Sequence, residues 1–63
     1  MNYGLNVKRI RESMGDTQEQ LADKIGVSRS YIAMLERGSK QVTVPIANQI
    51  ADIYGVDVTE LCR

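Results

Sequence analysis

The chain has no histidine and only one cysteine, Cys62. One thiol cannot close an internal disulfide, and without histidine or a cysteine cluster no zinc site can be assembled. A lone thiol fits a reducing cytoplasm. No apolar run is long enough to cross a bilayer, and no signal-peptide pattern opens the chain. The methionine at position 1 suggests a natural start. Nothing reads as a strand, a repeat, a linker or a low-complexity tract. Chemistry is also missing: there is no histidine, no glycine loop that cradles phosphate, no metal-ligand cluster, and no paired acid with a pocket. The carboxylates stand at helix starts or on exposed faces, where capping and dipole roles account for them. The reading is of a protein that is not an enzyme and needs no cofactor.

What remains is a 63-residue chain that buries only about 60% of the surface its unfolded form exposes. At that size, closely packed helices must supply the stability, with or without a partner chain. Net charge is zero, but its distribution is uneven. Up to Gln41 there are seven Lys/Arg against five Asp/Glu, and the remainder holds one against three. That lean permits a basic face without establishing one.

Helical spacing organises the chain. Val7, Ile10 and Met14 mark a first helix that Gly15 ends, with Tyr3 and Leu5 at its start. Thr17 is placed to cap a second helix with Leu21, Ala22 and Ile25 inward and Gly26 at its C-terminal corner. Ser28 caps a third, anchored by Ile32 and Leu35 and stopped by Gly38. Thr43 caps a fourth, with Pro45 in its first turn and Val44, Ala47, Ile50, Ala51 and Tyr54 as its apolar stripe up to Gly55. "DVTE", residues 57–60, has the form of a capping box and predicts a fifth short helix through Leu61 and Cys62. The expectation is a compact all-α domain of five helices spanning residues 1–63.

The third helix raises a question. Ile32 and Leu35 suffice to anchor it, yet Arg29, Ser30, Ala33 and Met34 share another side with no core to face. The second and third helices are joined by so few residues that they must cross steeply. Ala22 is small where the third helix presses, and Gly26 can adopt positive φ at the corner. Such a unit, here at 18–37, is a helix-turn-helix, whose second member commonly enters the DNA major groove. The bland alternative is a helical hairpin in any small bundle, with Arg29 an ordinary solvated arginine.

Val7, Ile10 and Arg11, the central "TQEQLADKIGVSRSYIAMLERG" and the terminal "GVDVTEL" carry a resemblance to the lambda-repressor/Cro-type helix-turn-helix family, also called the Xre family. The resemblance covers nearly the whole chain. It implies that Ser28, Arg29, Ser30, Ala33 and Met34 occupy groove-facing, base-contacting positions. Arg29 leads these candidates, because a guanidinium can bond guanine O6 and N7 together. It also implies that Gln18 holds a backbone phosphate. Tyr31, Arg37, Lys40, Gln41 and Thr43 are further backbone-contact candidates; half-buried packing explains Tyr31 as well as a phosphate does. Ala22 and Gly26 are structural, and Arg11 and Glu36 match a charged pair that ties the first helix to the end of the third. Two positions depart from the family's habit. Asp16 stands where an apolar residue is frequent, so that either Met14 fills the space or the first loop differs, and Met34 stands where polar or basic residues are frequent.

Ile46 and Ile53 flank the fourth helix's stripe. They either widen the core face or, with Val58, Leu61 and Cys62, form an apolar patch for a second chain. The resulting expectation is a DNA-binding transcriptional regulator, a repressor acting as a homodimer on a two-fold double-stranded DNA operator in a bacterial or phage-infected cytoplasm. The alternatives are an antitoxin or restriction-modification controller of the same fold, with a protein partner, or an interaction module that does not read DNA.

Overall fold

The computed structural model describes residues 3–62. Four α-helices run in order, α1 (Tyr3–Ser13), α2 (Gln18–Ile25), α3 (Arg29–Arg37) and α4 (Val44–Tyr54). A 3-10 helix at Val58–Cys62 follows. The expected fifth α-helix is therefore not formed: among the described residues there are four. Asp57 caps this shorter element in another way. Its carboxylate accepts the Thr59 backbone N–H and hydroxyl, both at 3.0 Å, which makes a tight turn two residues long in place of a capping box with Glu60. These bonds, the backbone one foremost, hold the Asp57 carboxyl below the usual carboxylate range.

The three interhelical corners follow from local chemistry. Thr17, Ser28 and Thr43 each sit in extended backbone with the side-chain oxygen accepting an N–H of the first turn. Thr17 and Gln20 complete a reciprocal capping box, with Thr17 N–H donating to Gln20 Oε1 at 2.7 Å. At the α2–α3 corner Gly26 adopts φ 76°, a region that costs an L-residue with a Cβ, and Val27 N–H returns to the Ala22 carbonyl at 3.0 Å. This corner sets how α3 leaves α2.

The core is built from Val7, Leu21, Ala22, Ile25, Ile32, Leu35, Ala47, Ile50, Ala51 and Leu61, all buried. Ile10, Val27, Tyr31, Val42, Ile46, Tyr54, Val56 and Val58 pack against its edge. Three expectations about apolar residues need correction. Met14 lies beyond the end of α1 and is 47% exposed, so it fills no space at the first loop. Val44 is 72% exposed, because it opens α4 on the side away from the core while Val42 turns inward before it. Leu61 is fully buried and cannot belong to a patch offered to a second chain. The side chains of Tyr3 and Cys62 lie outside what the structure describes, and so do the expectations that rest on them.

Two close contacts fasten α1. Gly4 is buried where α1 meets the end of α3, and a Cβ placed on it would stand 2.0 Å from the Leu35 carbonyl oxygen. Asn6, also buried, donates its Nδ2–H to the Leu61 carbonyl at 3.2 Å, linking the chain's two ends.

Candidate nucleic-acid interface

Helix α3 turns Ile32 and Leu35 into the core with no exposed surface. At helical spacing the opposite side carries Ser30, Ala33, Met34 and Arg37, with Arg29 beside them at the first turn. Ser28, Arg29, Ser30 and Arg37 are exposed, whereas Ala33 and Met34 are half-buried. The face left over by packing is thus polar at its N-terminal end and carries two methyl-bearing side chains further along. Ser28 serves the helix as well: its Oγ accepts the Tyr31 N–H at 3.0 Å, leaving the hydroxyl hydrogen for an external acceptor.

The residues after α3 continue this exposed surface. Arg37 donates its Nε–H to Ser39 Oγ at 2.9 Å, and Lys40, Gln41 and Thr43 are all exposed. The Thr43 Oγ1 is the α4 cap, accepting the Ile46 N–H at 3.4 Å. Tyr31 packs half-buried against the core edge.

A polar cluster joins three helices, α1, α2 and α3. Arg11 donates Nε–H to Glu36 Oε2 at 2.7 Å and Nη2–H to Glu36 Oε1 at 3.0 Å. The two side chains are only 8% and 4% exposed, so the pair is bidentate and nearly sealed from water. The hydrogen bond with Glu36 pushes the Arg11 guanidinium further above its already high ordinary value. Arg11 Nη1 also donates to the Asp16 carbonyl at 2.7 Å. Gln18 joins the cluster, donating Nε2–H to Glu36 Oε1 at 3.0 Å. From the sequence Gln18 and Glu36 had separate roles; here they touch.

Asp16 shows why an apolar residue is dispensable at the first loop. Its Oδ2 accepts Lys24 Nζ at 2.5 Å and the Tyr54 hydroxyl at 2.9 Å, and Lys24 lies 5.7 Å from the Tyr54 ring centroid. A polar clamp replaces a hydrophobic plug. Lys24, and after it Tyr54, hold the Asp16 carboxyl below the usual carboxylate range. Burial, followed by the bond to Asp16, pushes the Tyr54 phenol well up.

Of the remaining candidates, Ala22 is buried at the α2–α3 contact and Gly26 makes the corner. Ile53 is exposed, and Ile46 and Val58 are half-buried on the core edge. No helix among the described residues is long and apolar enough to cross a membrane.

Comparison with known proteins places this geometry. Residues 7–61 match the family described as helix-turn-helix. An HTH-type transcriptional regulator of Sinorhizobium fredii, y4dJ, is 38% identical over 58 residues, covering 92% of this chain and 75% of that protein. The immunity repressor protein of Bacillus phage phi105 is 34% identical over 61 residues, covering 97% of this chain and 42% of that protein. Among solved structures, the restriction-modification controller protein C.AhdI from Aeromonas hydrophila superposes with a TM-score of 0.86 at 30% identity, over 94% of this chain and 86% of that one. With its two capped helices, the glycine corner between them and a match over most of its length, the chain belongs to the helix-turn-helix family.

Proposed function

We propose that this chain is a sequence-specific DNA-binding transcriptional regulator, a repressor that works as a homodimer. The observation that carries the reading is the side of α3 that packing leaves free. Arg29, Ser30 and Arg37 are exposed on a helix whose other side is wholly committed to the core. The family supports it, and so do the relatives, which include an HTH-type regulator and a phage immunity repressor.

In the mechanism, α3 enters the major groove with its first turn nearest the base edges. Arg29 takes guanine O6 and N7, Ser28 and Ser30 bond a base or a phosphate, and Ala33 and Met34 meet thymine methyl groups. Gln18, Arg37, Lys40, Gln41 and Thr43 hold the sugar-phosphate backbone, fixing register and adding salt-dependent affinity. One domain reads few base pairs. Two copies, paired through Ile46, Ile53 and Val58, occupy half-sites about 34 Å apart, one turn of B-DNA. A bound dimer then excludes polymerase from an overlapping promoter. On this reading the protein binds without catalysing.

Titration of a random-sequence duplex at two salt concentrations tests the reading. A DNA-binding protein shows affinity that falls steeply as salt rises. An interaction module that does not read DNA shows neither binding nor slope, and that result overturns the proposal.

A further inference from the structure

Three N–H donors converge on Glu36. Arg11 supplies two of them and the Gln18 amide the third, at 3.0 Å from Oε1. A carboxylate only accepts, so the amide nitrogen of Gln18 must face Glu36 and its carbonyl oxygen must face elsewhere. Left to itself, a glutamine amide presents its oxygen or its nitrogen outward with little preference, and the oxygen would repel a phosphate. Glu36 removes that choice. The second N–H on the same nitrogen is not used by this bond. Gln18, the first residue of α2, is half-buried, and the Glu36 side chain behind its amide is only 4% exposed. A bare carboxylate so near a phosphate would be unfavourable, but the bidentate Arg11 guanidinium cancels its charge.

We propose that Glu36, neutralised by Arg11, is a positioning residue that orients the Gln18 amide as an N–H donor toward a DNA phosphate. The inference rests on the DNA-binding reading above and assigns the Arg11–Glu36 pair a part in binding beyond joining α1 to α3. It holds the Gln18 amide ready for the phosphate before DNA arrives, so that this side chain needs no further ordering on binding.

The test uses a duplex of about 30 base pairs of random sequence at low salt. It compares wild type with Gln18→Ala, with the paired change Arg11→Met plus Glu36→Leu, and with all three together. The paired change swaps a buried ion pair for apolar side chains, which small domains commonly tolerate, and leaves the net charge untouched. Gln18→Ala is expected to weaken binding about tenfold, the size of one hydrogen bond to a charged group. The paired change leaves the amide free to turn either way and is expected to weaken binding about twofold, and the triple variant no more than Gln18→Ala alone. The slope of log affinity against log salt should stay constant throughout, since no cation is lost on balance. Wild-type affinity in the paired variant, or losses that multiply in the triple one, overturns the proposal. A wild-type protein that binds no duplex overturns the DNA-binding reading itself, and this inference with it.

A second measurement needs no variant. In the NMR spectrum of free wild-type protein, one Gln18 side-chain N–H proton should be shifted downfield and slow to exchange. Its geminal partner should move when duplex is added. Two protons that both behave like those of a solvent-exposed glutamine would refute the assignment.

Discussion

Tyr54, the last residue of α4, donates its hydroxyl to the Asp16 carboxylate at 2.9 Å across 38 positions of sequence. With Lys24 on the same oxygen, this contact fixes the loop between α1 and α2 against the far end of the domain. The Arg11 guanidinium, bonded to the Asp16 carbonyl and to Glu36, carries the same constraint through to α3. The loop that precedes the helix-turn-helix is thereby held by charges and not by a hydrophobic plug.

The clamp makes stability depend on pH at both ends of the scale. Asp16 titrates below its unfolded value, so the folded form binds fewer protons there. Its stabilising effect is complete above about pH 4 and fades as pH falls through the lower folded value. The phenol of Tyr54 is raised, so its effect is complete below about pH 10 and fades as pH climbs toward the higher folded value. Thermal unfolding across pH should show wild type losing Tm on acidification more than Asp16→Asn does. Tyr54→Phe should cost about 1 kcal/mol at neutral pH and remove the phenol's share of the alkaline loss.

Gly4→Ala should destabilise the fold by about 1–3 kcal/mol or more, through overpacking. The added Cβ meets the backbone carbonyl of Leu35, which cannot swing aside as a side chain would. Denaturant titration checks it. Gly26→Ala makes a useful contrast, because space is open there and the penalty, about 1–2 kcal/mol, comes from its positive φ alone.

Lys40→Ala should weaken every duplex to a similar degree and lower the salt slope by about one unit. Lys40 is exposed beyond the C-terminal end of α3 and holds no core in place, so the fold should be unchanged. Fluorescence anisotropy over a salt series measures both quantities.

The proposed pairing through Ile53 can be separated from folding. Ile53 is exposed whereas Leu61 is fully buried. Ile53→Glu should give a folded monomer in sedimentation velocity, with helicity retained. Leu61→Ala should instead cost about 2–5 kcal/mol of stability, as truncation of a core side chain does.

The local grammar of the chain was legible from its residues. Thr17, Ser28 and Thr43 cap the helices they precede, and Gly26, Gly38 and Gly55 stop the helices they follow in left-handed backbone. The buried members of the α2 and α3 stripes are those that spacing indicates, because helix periodicity reports which side faces inward. Val44 misled, since the first residue of a helix can satisfy the period and still lie outside the packed face. The last element is a five-residue 3-10 helix, and its Asp57 takes the Thr59 N–H and hydroxyl in place of the reciprocal bond that the DVTE pattern suggests. What periodicity could not reveal are pairings distant in sequence: Asn6 with Leu61, Asp16 with Tyr54, Gln18 with Glu36. The close approach at Gly4 was equally hidden, because a glycine inside a helix has many possible reasons and only its neighbour selects one.

Whether α3 reads sequence through its uncommitted side is measured most directly by selecting bound sites from a pool of random duplexes, with wild type and Arg29→Ala in parallel. Wild type should enrich a motif whose halves repeat with two-fold symmetry one helical turn apart. Arg29→Ala should enrich the same motif with one position per half-site, a guanine, no longer fixed. Recovery of an unchanged motif by Arg29→Ala, or of no motif by wild type, would contradict the account.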